Sequence, residues 1–236
     1  MELSSLKQKY KPCIGPSTLS QFLTDNSCIR QLWLQNRFKP ENTDSVFLEK
    51  YKLQHTSSLS NLTKFLRKMY PLAKIDCEIQ LPIVQFHGIN LFGIVDCILT
   101  LPDGSIGIYD AKTGARKTSH WLQIGLYLLM KKAICRSNDQ PIPKLHSLGI
   151  FYSDGKNPID DVTFKKSLMQ INGESALDQI FLEGTKSKLK ELLILASKNE
   201  LPDSQPTINN CRYCKFANNC PDSVNEPGPI IANDLI

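Results

Sequence analysis

Two acidic segments carry the residues most able to do chemistry. Gly93-Ile94-Val95-Asp96 is followed, thirteen residues later, by Asp110-Ala111-Lys112-Thr113-Gly114. Asp96 lies inside an apolar run, where an ionised carboxylate costs several kcal/mol unless it is paired or coordinates a metal. Asp110 and Lys112 are two apart on an extended strand, so both side chains leave the same face. A tight hairpin between the segments brings Asp96 and Asp110 to one end of a sheet. Two carboxylates can hold Mg²⁺ or Mn²⁺, because hard cations prefer oxygen ligands, and such a cation serves phosphodiester hydrolysis. A lysine beside them can orient water or meet developing negative charge. The residues alone also admit a plainer arrangement, with Asp110 and Lys112 as a weak solvent-facing pair and Asp96 matched to an arginine.

A second group is made of thiols. Cys211-x2-Cys214-x5-Cys220-Pro221 has metal-ligand spacing, with proline after the last cysteine as in several iron–sulfur proteins. Four-cysteine sites also accept zinc, and spacing does not separate the two. Eight cysteines without a secretion signal favour metal binding over a disulfide framework. Cys13, Cys77, Cys97 and Cys135 read as core residues or bystanders, and Cys97 points away from the face of Asp96.

These groups need elements to position them. Ser17 can cap a helix carrying Leu19, Phe22, Leu23, Ile29, Leu32 and Trp33. A second helical stretch runs from about Val46 to Met69. Ile75 to Leu81 alternates as a strand, Ile89 to Leu101 is a longer apolar strand, and Pro102-Asp103-Gly104-Ser105 turns it into Ser105–Ala111. His120 to Ile134 reads as a mostly buried helix. Leu145–Tyr152 and Asp161–Phe164 read as further strands, and Ala176 to Lys198 as one amphipathic helix. The tail from Pro221 reads as loosely ordered. The order predicts an α/β fold with a mixed central sheet flanked by helices. The whole chain, 1–236, reads as one domain: an N-terminal helical part over 17–70, a catalytic sheet core over 71–170, a helix and cysteine triad over 171–221, and a tail.

Composition limits the alternatives. Of 236 residues, 41% are hydrophobic and 22% charged, as in ordinary globular proteins. No apolar run approaches the ~20 residues needed to cross a bilayer, and the first residues lack a signal-peptide block, so the reading is cytoplasmic. The net charge of +5 suits a polyanionic partner without requiring one.

Gly-x-x-Asp followed by Tyr109-Asp110-Ala111-Lys112-Thr113-Gly114 resembles motifs II and III of PD-(D/E)XK nucleases, particularly the RecB-like iron–sulfur exonuclease branch. Gln123-Ile124-Gly125-Leu126-Tyr127 resembles the Gln-x-x-x-Tyr of that branch, and residues at i and i+4 share a helix face. The resemblance spans roughly residues 17 to 221, with the CRISPR-associated exonucleases nearest. It implies a restriction-endonuclease-like core and a Mg²⁺ or Mn²⁺ site made by His55, Asp96, Asp110 and the Ala111 backbone carbonyl. Lys112 would assist the water, and Gln123 and Tyr127 would hold substrate. Glu78 matches an acidic position that supports such sites. A 4Fe–4S cluster on Cys28, Cys211, Cys214 and Cys220 would join the two ends of the chain. Single-stranded DNA would be the substrate and CRISPR integration proteins the partners, in adaptation or DNA repair. Two rivals stay open: a catalytically silent DNA-binding or scaffold subunit keeping the fold, and a small zinc-ribbon protein, which leaves Asp96 unexplained.

Overall fold

The structure is a computed structural model that describes residues 12–24, 28–39, 45–153, 160–212, 214–220 and 222–224. The chain opens with α1 (Pro16–Thr24), α2 (Ile29–Arg37) and α3 (Ser45–Met69). The helix expected from Ser17 through Trp33 is thus two helices, because Cys28 is extended (φ −67°, ψ 120°) immediately before α2. Proline at the first position of α1 has no N–H to leave unsatisfied.

Next come β1 (Lys74–Gln80), a small hairpin of β2 (Val84–Phe86) and β3 (Ile89–Leu91), then β4 (Ile94–Thr100) and β5 (Ile106–Lys112). The long strand expected over 89–101 therefore divides at Phe92 and Gly93. The turn between β4 and β5 is closed by Asp103, whose Oδ1 accepts from the Ser105 N–H at 3.0 Å and the Ser105 hydroxyl at 2.7 Å. Gly104 supplies the positive φ of 80°. α4 (Thr118–Ser137) leads to β6 (Leu145–Tyr152), α5 (Asp161–Ser167) and β7 (Leu168–Asn172), followed by α6 (Ala176–Ile180), α7 (Glu183–Ser197) and α8 (Ile208–Arg212).

Two expectations are corrected here. Residues 161–164 form a helix rather than a strand: Asp160 caps it by accepting from the Thr163 N–H at 2.7 Å, and Phe164 alone turns inward. The helix expected over 176–198 breaks at Phe181, which leaves the helical region (φ −105°, ψ 78°) to bury its ring.

The mixed sheet flanked by helices is present as expected, in the order β1-β4-β5-β6-β7. Only β5 and β6 are parallel, joined by the crossover helix α4, and the other pairs are antiparallel. Alternate side chains feed two cores. Cys97, Leu99, Tyr109 and Phe151 meet Leu62 and Leu66 of α3 and Phe164 of α5. Ile98, Ile108, Leu148 and Ile150 share the other core with residues of α1, α4, α6 and α7. Each fully buried aliphatic side chain contributes about 1.5–3 kcal/mol. A third, smaller core packs Trp33, Leu34 and Phe38 on Phe216, so the N-terminal helices and the C-terminal cysteine segment touch. Arg30 adds an ion pair with Asp222 at 2.5 Å, and Trp33 Nε1 donates to the Lys198 carbonyl at 2.8 Å. Among the described residues, no helix is long and apolar enough to cross a membrane.

Candidate active site

β4 and β5 pair with Cys97 opposite Tyr109, and continuing that register sets Asp96 across from Asp110. The Ala111 N–H donates to Asp96 Oδ2 at 2.8 Å, which ties the two strand ends together. Lys112 follows on the Asp110 face, its Nζ 2.6 Å from Asp110 Oδ2. That pair is buried, with Asp110 at 2% and Lys112 at 16% side-chain exposure, so the solvent-facing alternative is excluded. Asp96 has no arginine partner among the described residues. Cys97 is fully buried on the opposite face, as its position on the strand predicts.

Burial acts on every member of this group. It pushes the Asp110 carboxyl up to about 7; Asp96 adds to the rise, and Lys112 works against it. Asp96 is also raised, mainly by burial and further by Glu78, while the Ala111 N–H and Lys112 oppose the shift. For Lys112, burial pulls the pKa down, but Asp110 and Asp96 more than offset it, so the ammonium stays charged. Two poorly solvated carboxylates share one ammonium, a costly arrangement that a further cation would relieve.

His55, on α3, points Nε2 at Asp96 Oδ1, 3.6 Å away. Its Nδ1 is buried with no hydrogen-bond partner among the described residues. Tyr51, one turn earlier, stacks on the imidazole at 6.3 Å between ring centroids, with 10° between planes. An imidazole and two carboxylates around one pocket form a donor set that suits Mg²⁺ or Mn²⁺. Even so, no three His, Cys, Asp or Glu side chains among the described residues already converge as a formed ion site.

Gln123 and Tyr127 lie on the inner face of α4, both buried. Gln123 Nε2 donates to Asp110 Oδ1 and to the Tyr127 hydroxyl, each at 3.2 Å. These side chains therefore stand beside the Asp110 carboxylate. Gly93 explains how Tyr127 fits: a Cβ there would stand 2.6 Å from Tyr127 Cε1 and 3.1 Å from the Pro16 ring. The glycine of Gly-x-x-Asp and the tyrosine of Gln-x-x-x-Tyr are thus one packing unit.

Sequence reasoning undervalued two groups. Glu78 faces Asp96 across β1 and β4 from an unusual backbone of φ 50°, and the strand pairing skips it. No feature of its neighbours foretells that conformation. His120 accepts or donates a hydrogen bond at 3.0 Å to the Tyr152 hydroxyl, and Arg116 lies over the Tyr152 ring. Burial lowers the His120 pKa to about 4, helped by Lys112 and Lys117. Its place in the first turn of α4, directly after the Asp-Ala-Lys strand, was the available signal.

The four cysteines of the second site lie near one another but form no ready metal site among the described residues. Cys28, Cys211, Cys214 and Cys220 all line one cavity of about 20 Å³ between α2 and the C-terminal segment. The Gln205 N–H lies 3.3 Å from Cys28 Sγ, and Arg30 approaches Cys220 Sγ at 3.9 Å. Burial raises the Cys214 thiol pKa, and the three other cysteines add to the rise. The donor set suits a thiophilic metal, but the cavity as it stands has room for about one water or ion.

A sequence profile described as the PD-(D/E)XK nuclease superfamily matches residues 6–221. The chain belongs to that superfamily. Nucleases of this superfamily typically use Mg²⁺ or Mn²⁺, and DNA is their substrate. No curated protein matches the chain. The protein solved as "Crystal structure of SSO0001" is 16% identical, covers 92% of this chain and 89% of its own, and superposes with a TM-score of 0.48, too slight a likeness to carry an argument. The matched span takes in Asp96, Asp110 and Lys112.

Proposed function

We propose that this PD-(D/E)XK nuclease is a Mg²⁺- or Mn²⁺-dependent exonuclease of single-stranded DNA, with an iron–sulfur cluster that has a structural role. The observation that carries the nuclease reading is the buried convergence of His55, Asp96, Asp110 and Lys112 at one end of β4 and β5. His55, Asp96, Asp110 and the Ala111 carbonyl would hold the cation, and the approach of His55 Nε2 to Asp96 and the crowded carboxylates fit that assignment. When bound, the cation offsets transition-state charge and makes a coordinated water more acidic. Lys112, held as an ammonium, donates to the attacking water or to a phosphoryl oxygen where negative charge grows. Gln123 donates to Asp110 and to the Tyr127 hydroxyl, and from beside the carboxylates the two would hold the substrate.

Exonucleolytic attack, single-stranded substrate, and a setting in CRISPR adaptation or DNA repair with integration proteins are supported by the motif resemblance alone. The four thiols lining one cavity support a cluster on Cys28, Cys211, Cys214 and Cys220. Zinc is the second reading, favoured by the small volume of that cavity. Anaerobic purification followed by visible spectroscopy and metal analysis separates the two: about four irons and broad visible absorption support the cluster, and one zinc without colour refutes it. Linear and circular single-stranded DNA then test the mode of attack. Degradation of the linear form alone is expected, and cutting of the circle contradicts an exonuclease.

A further inference from the structure

The charge of this chain is unevenly placed. α3 carries Lys50, Lys52, Lys64, Arg67 and Lys68 against the single acid Glu49, nearly the whole of the net +5. The exposed positions Lys52, Thr56, Ser60, Lys64 and Arg67 are spaced four, four, four and three residues apart, and so form one stripe along the helix. Hydroxyls and cations make up that stripe, and it holds no carboxylate. Between α3 and the edge strand β1 lies an open groove of about 560 Å³, lined by Thr56, Ser60, Thr63, Lys64 and Arg67 over Cys77. Thr56 is the neighbour of His55, so the groove begins beside the candidate active site. Lys64 and Arg67 have no ion-pair partner among the described residues, whereas Lys68 is paired with Asp161 and the β1 acid Asp76 with Lys74.

We propose that this face of α3 is the track for the DNA strand running away from the reacting phosphate, with Lys64 and Arg67 as its phosphate contacts. The inference rests on the nuclease reading above and extends it from the reacting phosphate to the rest of the substrate. From His55 to Arg67 the helix rises about 18 Å, equal to about five phosphates at duplex-strand spacing and fewer of a stretched single strand. The contacts are to backbone, so the track is indifferent to sequence. A strand too short to reach Arg67 gains nothing from it.

Fluorescence anisotropy of labelled single-stranded DNA, measured in EDTA over a range of salt, tests the track without cleavage. Each lost phosphate contact lowers the slope of log affinity against log salt by about 0.7 for a single strand. Lys64→Gln with Arg67→Gln should therefore lower the slope by about 1.4 on a long oligonucleotide. It should leave a dinucleotide-length strand unaffected, and in Mg²⁺ it should raise KM without changing kcat. Lys131→Gln with Lys190→Gln removes the same charge from the opposite helical layer and should leave the slope unchanged. An unchanged slope in the α3 variant, or equal loss in both pairs, overturns the track while leaving the nuclease reading intact if the wild type still cleaves. A wild type that neither binds nor cleaves any DNA overturns both.

Discussion

Asp110 concentrates the physical argument at the residue scale. It is buried, paired with Lys112, hydrogen-bonded by Gln123 and opposed by Asp96, and each contact has a measurable consequence. Asp96→Ala or Asp110→Ala should abolish cleavage with little change in circular dichroism, because each removes a charged ligand rather than core volume. Near-normal turnover by either variant would remove both residues from the metal site. Lys112→Ala should slow turnover by ~10² or more, the scale of losing one electrostatic stabiliser. Burial raises Asp110 from an ordinary carboxylate value to about 7, so the metal-free fold binds its proton more tightly than the unfolded chain does. The stability linked to that proton is full below about pH 4 and is lost as pH rises through about 7. Melting curves of metal-free protein from pH 4 to 8 should show this decline, and Asp110→Asn should flatten it. A parallel slope in the two proteins would assign the decline to other groups.

At the scale of elements, the legible parts were those whose local pattern and tertiary role agree. The 93–114 hairpin and the helix after it combine turn chemistry, alternation and an apolar run, and both are present with their chemical residues converging. Residues 161–164 misled because Val162 and Phe164 alternate like a strand, while the deciding contact is the Asp160 cap. Nothing local marks Phe181 as the point where a helix breaks, since its ring packs against distant Gly125, whose Cβ would stand 2.4 Å from that ring. The reach of Gln123 to Asp110 was likewise hidden, because i and i+4 spacing shows a shared face and not what the face meets. Gly93→Ala probes this level. Its methyl would collide with Tyr127, so overpacking should cost about 1–3 kcal/mol and reduce kcat by displacing Gln123. Adding Tyr127→Leu should recover melting temperature but not kcat. If Gly93→Ala matches wild type in both, Tyr127 has space that the packing denies.

For the whole molecule, the question is what holds the two ends together. A metal shared by Cys28 and the Cys211–Cys220 segment would close nearly the entire chain, and a cross-link over ~100 residues is worth about 4–5 kcal/mol in the chain-entropy account. That figure is an upper bound here. Phe216 already packs on Trp33 and Phe38, and Arg30 already pairs with Asp222, so the ends meet through protein contacts alone. Cys28→Ser should therefore abolish the visible absorption and lower the melting temperature by less than full loop closure would, with catalysis falling only indirectly. Cys13→Ser should do neither. Full iron content and an unchanged melting temperature in Cys28→Ser would place the fourth ligand elsewhere. A site joining Cys28 to the C-terminal cysteines was suggested by the resemblance alone, whereas the aromatic contacts between the same segments had no signal in the sequence. The most direct test of the whole account is hydrolysis of end-labelled single-stranded DNA by the anaerobically purified protein. Cleavage that requires Mg²⁺ or Mn²⁺, stops in EDTA and is lost in Asp110→Ala is the predicted result. No metal-dependent cleavage of any DNA, or cleavage that persists in Asp110→Ala, would contradict the assignment of this site as a nuclease centre.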